Sequence, residues 1–153
     1  MYVPSFDSIL HAVGTDRAAL NDSSKVTIPL ELLKFLLQIA LVTSEFNEAG
    51  YLAANPDVGV AVRTGAVENA RAHYIGFGYL EGRKGATPQV DERWYLATYP
   101  DVAEAVKSGR VGSAAEHFEV VGAAEGRSPN ARNEASAERW KKALVISRLT
   151  NIQ

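Results

Sequence analysis

Three histidines and four recurrent carboxylates are the side chains of this sequence that could take part in chemistry. They are His11, His73, His117, Asp57, Asp101, Glu81 and Glu125. A histidine can serve as a general base or a metal ligand, and paired carboxylic acids can hydrolyse a glycosidic bond. A metal site needs a second histidine or converging carboxylates at ligand spacing, and the sequence shows neither. We therefore expect no metal ion and no cofactor.

The spacing of these side chains favours structural roles. His73 and His117 lie 44 residues apart, which is the period of an internal repeat, so a hydrogen bond that closes each repeat explains both. The carboxylates stand where a helix cap or a salt bridge accounts for them. The chain has no cysteine and no Gly-x-Ser-x-Gly motif, and residues 76–78 do not continue into a dinucleotide-binding motif. The sequence predicts a protein that is not an enzyme.

An internal repeat is the strongest pattern in the chain. Residues 46–83, here called unit 1, align without a gap with residues 90–127, called unit 2, and 17 of the 38 paired positions are identical. The identical positions include Tyr51/Tyr95 and Pro56/Pro100. Because a unit this short cannot bury its own apolar side, we expect the two units to share one core.

Each unit has the sequence features of three short helices. Asn47 or Asp91 can cap the first helix, and a proline at 56 or 100 ends it and opens the second. Glycine at 65 or 109 ends the second helix. The third helix follows with an apolar stripe, and Gly78 or Gly122 is expected to cap it. The fold class is therefore all-α.

The motifs of the units resemble a known repeat. Tyr-Leu-x-x-x-Pro-Asp-Val-x-x-Ala-Val-x-x-Gly, then Ala-x-x-His-aromatic and Gly-x-x-Glu-Gly-Arg, is similar to a short α-helical tandem repeat found in many bacterial proteins. The resemblance covers residues 46–127. That repeat is often appended to glycosyltransferases and to large secreted or surface proteins, as an accessory module more than as a catalyst. The resemblance implies a helical fold and a non-catalytic role, and it carries over no functional residue.

The segment before the repeats, residues 1–45, contains the most apolar stretch of the chain. Residues 28–42 predict a helix that Thr27 can cap and that has Pro29 in its first turn. Only Glu31, Lys34 and Gln38 interrupt its apolar surface, as a narrow polar stripe. A helix apolar almost all round must be covered on several sides. Two alternatives remain: the repeats surround it as a core helix, or it is an oligomerisation helix covered by a second copy of the chain. Residues 1–22 predict a weaker helix.

Residues 128–153 predict a linker and a basic amphipathic helix over 135–149. Trp140, Leu144 and Ala137 are expected to face inward, so that the helix docks on unit 2 as a cap. The alternative is that it reaches out to a partner. Residues 127–153 carry 6 basic and 2 acidic residues, giving +4 against −6 for the remainder of the chain. Because the repeats are acidic, nucleic acid is not an expected partner.

Composition bounds the remaining classes. With 46% hydrophobic and 22% charged residues, the chain is typical of a globular protein and not of a disordered one. Residues 28–42 are too short and too polar for a transmembrane helix. The N-terminus lacks the charge and cleavage pattern of a secretory signal, so a cytoplasmic location is expected.

These observations predict a protein–protein interaction or assembly module in a bacterium, working as an adaptor or structural subunit that binds a protein partner or itself. The predicted interaction surface combines aromatic, basic and apolar side chains: Trp94, Tyr79, Trp140, Lys141, Lys142, Leu33, Phe35 and Leu37. Two alternatives stay open. One is an accessory module that binds glycans or nucleotide sugars beside surface-polysaccharide glycosyltransferases. The other is a membrane-peripheral protein that uses residues 28–42 and the basic tail.

Overall fold

A computed structural model describes residues 3–21 and 24–149, with side chains described as far as Leu144. Over these residues the fold is all-α and contains no strand. The α-helices are α1 (Phe6–Ala12), α2 (Leu30–Val42), α3 (Glu48–Ala54), α4 (Pro56–Arg63), α5 (Ala70–His73), α6 (Glu92–Thr98), α7 (Pro100–Lys107), α8 (Ala114–His117) and α9 (Glu134–Leu149). Two π-helical turns, Tyr74–Gly78 and Phe118–Gly122, continue α5 and α8. Short 3₁₀ turns lie at Arg17–Ala19 and Ala131–Asn133.

The two units use the same local devices at matching positions. The Asn47 side chain accepts a hydrogen bond from the Gly50 amide, and Asp91 accepts one from Trp94, each at 3.0 Å. These side chains satisfy amide groups that the first turn of a helix leaves unpaired. Pro56 begins α4 as Pro100 begins α7, because proline fixes a helical φ and needs no donor at that position. The caps and the proline breaks agree with the sequence prediction.

The third helix of each unit differs from its prediction. It is a single α-helical turn followed by a π turn, and Gly78 and Gly122 do not have the positive φ of a left-handed cap. The left-handed glycines that follow the two π turns are Gly82 and Gly126, with φ of 70° and 73°. Glycine is needed at positions 78 and 122 for another reason. An added Cβ at either position would overlap the hydroxyl of the nearby core tyrosine.

Each unit has its own buried core, where a shared one was expected. In unit 1 the core is Tyr51, Val58 and Ala70, together with Ala86 from the linker between the units. The core of unit 2 is Tyr95, Val102, Ala114 and Phe118. The large tyrosine explains the difference: its ring spans the three short helices, and both rings are fully buried. An aromatic residue of this size supplies much of the apolar area that a small core needs.

Helix α2 is not a core helix within the single chain. It begins at Leu30, with Pro29 at the capping position and no side chain bonded to its first amides, so the expected Thr27 cap is absent. No residue of α2 is buried. The helix packs against the π turn Tyr74–Gly78 of unit 1. The repeats of a single chain therefore do not surround α2 as a core helix, which was the first of the two alternatives.

The remaining segments lie against the units. Helix α1 is shorter than the helix predicted over 1–22. Its Leu10 is buried, but its Phe6 is exposed. Residues 1, 2 and 22 of the helix predicted over 1–22 lie outside the described residues. Helix α9 occupies the predicted range, but Trp140 and Leu144 are 55% and 51% exposed. The expectation that both face inward is therefore wrong, because the helix lies along the rim of a groove and does not seal it.

Candidate functional site

A tyrosine–histidine hydrogen bond crosses the core of each unit. The Tyr51 hydroxyl lies 2.9 Å from Nδ1 of His73, and the Tyr95 hydroxyl lies 3.0 Å from Nδ1 of His117. Burial disfavours the ionised phenol, so it raises the pKa of Tyr95 to about 12 and raises the pKa of Tyr51 as well. The bond that the spacing of the histidines predicted is thus present in both units.

The recurrent carboxylates form one ion-pair cluster in each unit. In unit 2, Arg127 binds Asp101 through two nitrogens at 2.9 and 2.7 Å, and its Nε donates to Glu125 at 2.6 Å. In unit 1, Arg83 binds the equivalent acids, Asp57 and Glu81. The hydrogen bond from arginine lowers the pKa of Asp57 and of Asp101. In the described residues, no three His, Asp or Glu side chains come together as a metal ligand set.

An open, mostly apolar groove of about 570 Å³ between the two units could receive another molecule. We call it the inter-unit groove. Its floor and walls are mostly apolar, and they come from the end of α2, both linkers, unit 2 and α9. The apolar lining residues are Leu41, Tyr74, Ala86, Pro88, Phe118, Ala123, Pro129, Ala137, Trp140 and Leu144. Grooves of this size and character are where small molecules and partner segments bind.

A polar tether sets the position of α9 along this groove. Glu45, which precedes unit 1, forms an ion pair with Arg132 and accepts a hydrogen bond from Asn133, each at 3.1 Å. Asn133 ends the 3₁₀ turn that leads directly into α9. Farther along, the stem of Lys141 lies over Gly126, where an added Cβ would stand 3.0 Å from the Lys141 Cβ. The start of the repeats and the end of unit 2 therefore hold α9 from two sides.

The predicted interaction residues fall into three groups. Trp140 and Lys141 line the inter-unit groove, and Lys142 is exposed on α9 just beyond it. Leu33 and Phe35 are exposed on α2, and Leu37 is half-buried there. Tyr79 is exposed near unit 1, with its ring edge-on to Tyr74 at 5.9 Å between centroids. The structure thus divides the predicted surface between the groove and α2, with Tyr79 apart from both on unit 1.

Trp94 does not belong to either surface. It packs against the core of unit 2, and its ring meets Tyr99 edge-to-face at a centroid distance of 6.1 Å. The paired position in unit 1 is Gly50, so the indole fills space that unit 1 closes with backbone: an added Cβ at Gly50 would stand 2.7 Å from the carbonyl oxygen of Gly85. Trp94 is a half-buried side chain that packs against the core of unit 2 and is not an exposed one.

A second groove, of about 580 Å³, lies between α2 and unit 1. Phe35 and Gln38 line one side, and Phe77 and Leu80 line the other. Sequence reasoning missed Arg71, which fixes this arrangement. Its Nη2 donates to the carbonyl oxygens at the end of α2, those of Leu41, Val42 and Ser44, at 3.4, 2.9 and 2.6 Å. The sequence offered one indication of this role. The equivalent position in unit 2 is Ala115, so Arg71 is not one of the residues that the repeat keeps.

None of the described helices has both the length and the apolar character needed to cross a membrane. Comparison of the chain with known protein families, with curated proteins and with solved structures found no match.

Proposed function

We propose that this chain is a non-catalytic helical-repeat module that binds protein partners, as an adaptor or a structural subunit of a bacterial assembly. The observation that carries the proposal is the inter-unit groove, with Trp140 and Leu144 half-exposed on its rim. Half-exposed tryptophan beside an apolar groove is the usual composition of a binding hot spot, because an aromatic side chain gains most when a partner completes its burial.

The chemistry-bearing side chains support a non-catalytic role. His73 and His117 are held by core tyrosines, and Asp101 and Glu125 are held by Arg127. A general base must reach the proton that it abstracts, and these groups are directed at partners inside their own unit. The function proposed here therefore rests on shape and apolar contact.

Affinity capture with matched variants tests this proposal. The tagged chain, its Trp140→Ala variant and a Val60→Ala control are exposed to an extract of the native host. Val60 is 49% exposed on α4 and does not line the groove. We expect the wild type and the control to retain the same proteins, and Trp140→Ala to lose them. Purified partners should bind Trp140→Ala at least about 10-fold more weakly. Identical retention by all three proteins would contradict the proposal.

A second function, recognition of a glycan or nucleotide sugar by an accessory module, is favoured by one observation. Trp140 offers an exposed indole ring beside an open groove, and apolar sugar faces stack on such rings. Calorimetric titration of the full chain with oligosaccharides and nucleotide sugars tests it. Heat of binding that disappears in Trp140→Ala would support a carbohydrate ligand. Flat titrations throughout would leave the protein partner as the proposed ligand.

A further inference from the structure

The exposed apolar side chains are concentrated at the N-terminal end of the chain. Among the described residues, sixteen large apolar side chains are exposed, and eight of these precede residue 43. The eight are Val3, Phe6, Val26, Leu30, Leu33, Phe35, Leu36 and Val42. Single exposed apolar residues are normal, but a contiguous set marks an interaction site. The segment before the repeats is therefore the part of the molecule that most needs a cover.

Helix α2 places two members of its polar stripe, Lys34 and Gln38, towards unit 1, beside half-buried apolar side chains. Gln38 Nε2 donates to the carbonyl oxygen of Gly76 at 3.4 Å, and Lys34 lines the same groove against unit 1. Leu33, Leu36 and Ala40, at spacings of three and four, are exposed. An amphipathic helix on the surface of a single domain is normally placed the other way round. The outer face of α2 is thus the kind of face that such a helix buries.

This outer face is complementary to a copy of itself. The exposed Leu30, Leu33 and Ala40 and the half-buried Leu37 between them recur at spacings of three, four and three, the spacing of a packed helix pair. The three spacings occur in the same order whether the helix is followed from its N-terminus or from its C-terminus. In an antiparallel pair about a two-fold axis, Leu30 of one copy would therefore meet Ala40 of the other, and Leu33 would meet Leu37. A large residue opposite a small one lets the two helices approach closely.

Charge also permits the pairing. None of the four seam residues is charged, so a two-fold axis brings no like charges together. A lipid surface is a poorer cover, because peripheral helices bind anionic membranes through free basic residues around the apolar face. Here Lys34 is 2.8 Å from Glu31, and Arg71 is engaged with the end of α2. Glu31 itself is 83% exposed at the start of the helix.

We propose that two copies of this chain associate through the outer faces of α2, packed antiparallel across a two-fold axis. The inference rests on the proposed function as an interaction module and names a second copy as one of its partners. It uses a surface separate from the inter-unit groove.

Light scattering after size exclusion tests the association. At about 50 µM, well above the Kd of a stable dimer, the full chain should have twice its chain mass of 16.5 kDa. Leu33→Glu places two carboxylates in the contact and should raise the Kd at least about 100-fold. Val60→Glu, on an equally exposed site of α4, should remain a dimer. Circular dichroism checks that both variants keep the wild-type helix content.

Disulfide trapping tests the antiparallel arrangement, and the absence of cysteine from the chain makes every introduced thiol unique. A mixture of Leu30→Cys and Ala40→Cys chains should form a covalent heterodimer under mild oxidation. Neither variant should cross-link efficiently to itself. Preferential self-cross-linking of both variants would show a parallel arrangement and overturn the proposal.

Two further outcomes would overturn it. One is a monomeric wild type, whether or not it binds vesicles of phosphatidylcholine and phosphatidylglycerol. The other is a dimer that Leu33→Glu leaves intact, since the contact would then lie elsewhere. Either result leaves the proposed function standing if Trp140→Ala still loses captured proteins. Conversely, an α2 dimer that captures nothing through the groove would support the inference and remove the proposed function.

Discussion

The hydroxyl oxygen of Tyr95 lies 3.0 Å from Nδ1 of His117, beneath the backbone of Gly122. The same three residue types meet in unit 1, where Tyr51 lies 2.9 Å from His73 beneath Gly78. In each unit this bond joins the first helix to the third. It is the polar centre of an otherwise apolar core, so its removal should be measurable.

Tyr95→Phe removes the hydrogen bond and keeps the ring. Because Nδ1 of His117 loses its partner in a partly buried site, the free energy of unfolding should fall by about 1 kcal/mol. Tyr51→Phe should have a similar effect through His73. Urea unfolding followed by circular dichroism measures both. The control is Tyr79→Phe, whose exposed side chain should change stability by less than about 0.5 kcal/mol. Equal effects in all three variants would mean that the core bonds contribute nothing specific.

Gly122→Ala and Gly78→Ala should destabilise more than the tyrosine variants do. The added methyl group would overlap the tyrosine hydroxyl, so ring or backbone must shift, at a cost of about 1–3 kcal/mol. Gly76→Ala is the matched control in the same π turn, because its Cβ would meet nothing within 4 Å. Combining Gly78→Ala with Tyr51→Phe should cost less than the sum of the two changes, since the overlapping oxygen is gone. Strict additivity would exclude the overlap.

Asp101→Asn should reveal a pH-dependent part of the stability. The hydrogen bond from Arg127 lowers the pKa of Asp101 in the folded chain from its ordinary value of 3.8. The folded chain therefore releases this proton more readily than the unfolded chain does. The resulting stability is present above pH 3.8 and is lost as the pH falls through the lowered value.

The Asp101 side chain is 62% exposed, so the expected difference between wild type and Asp101→Asn at pH 7 is only about 0.2–1 kcal/mol. It should shrink as the pH falls below 3.8 and through the lowered pKa of Asp101, because the carboxylate then becomes protonated in both states. Chemical unfolding of both proteins across this pH range measures the difference. Glu104→Gln, on the same helix, is the control and should run parallel to wild type. A difference for Asp101→Asn that does not change with pH would exclude the ionic explanation.

Arg71→Met should loosen α2 and leave unit 2 unchanged. The guanidinium donates to three carbonyl groups at the end of α2, where the last carbonyls of a helix lack intrahelical amide partners. Without it, hydrogen exchange measured by mass spectrometry should speed up in peptides from 30–45 and stay constant in peptides from 90–127. Arg63→Met, an exposed arginine at the end of α4, is the control and should leave exchange in α2 unchanged. Faster exchange throughout the Arg71→Met chain would instead show global destabilisation.

Local order in the repeats was predictable because it depends on residues close in sequence. Asn47, Pro56 and Gly65 act on the backbone next to them, and each has the predicted role at a helix end. The histidine bond was also predictable, because duplication places it at the same offset twice. Gly78 was misread as a cap, since its constraint comes from Tyr51, which lies 27 residues earlier in the chain.

The placement of α2 and α9 could not be read from the sequence, because the decisive contacts connect distant segments. Arg71 binds the end of α2, and Glu45 binds Asn133 across 88 positions of sequence. Periodicity predicts which residues share a helix face, but it does not show which face meets the protein. For α2, Gln38 faces unit 1 while Leu33 and Leu36 are exposed, and for α9 Trp140 remains half-exposed at a groove.

The separate cores of the two units have a consequence for how such chains change in evolution. Since Tyr51 and Tyr95 each complete an interior that borrows no buried side chain from the other unit, gaining or losing one 44-residue block leaves the neighbouring interior intact. The array is modular in the literal sense. The number of units can change while Arg71 of the first unit continues to bind the end of α2.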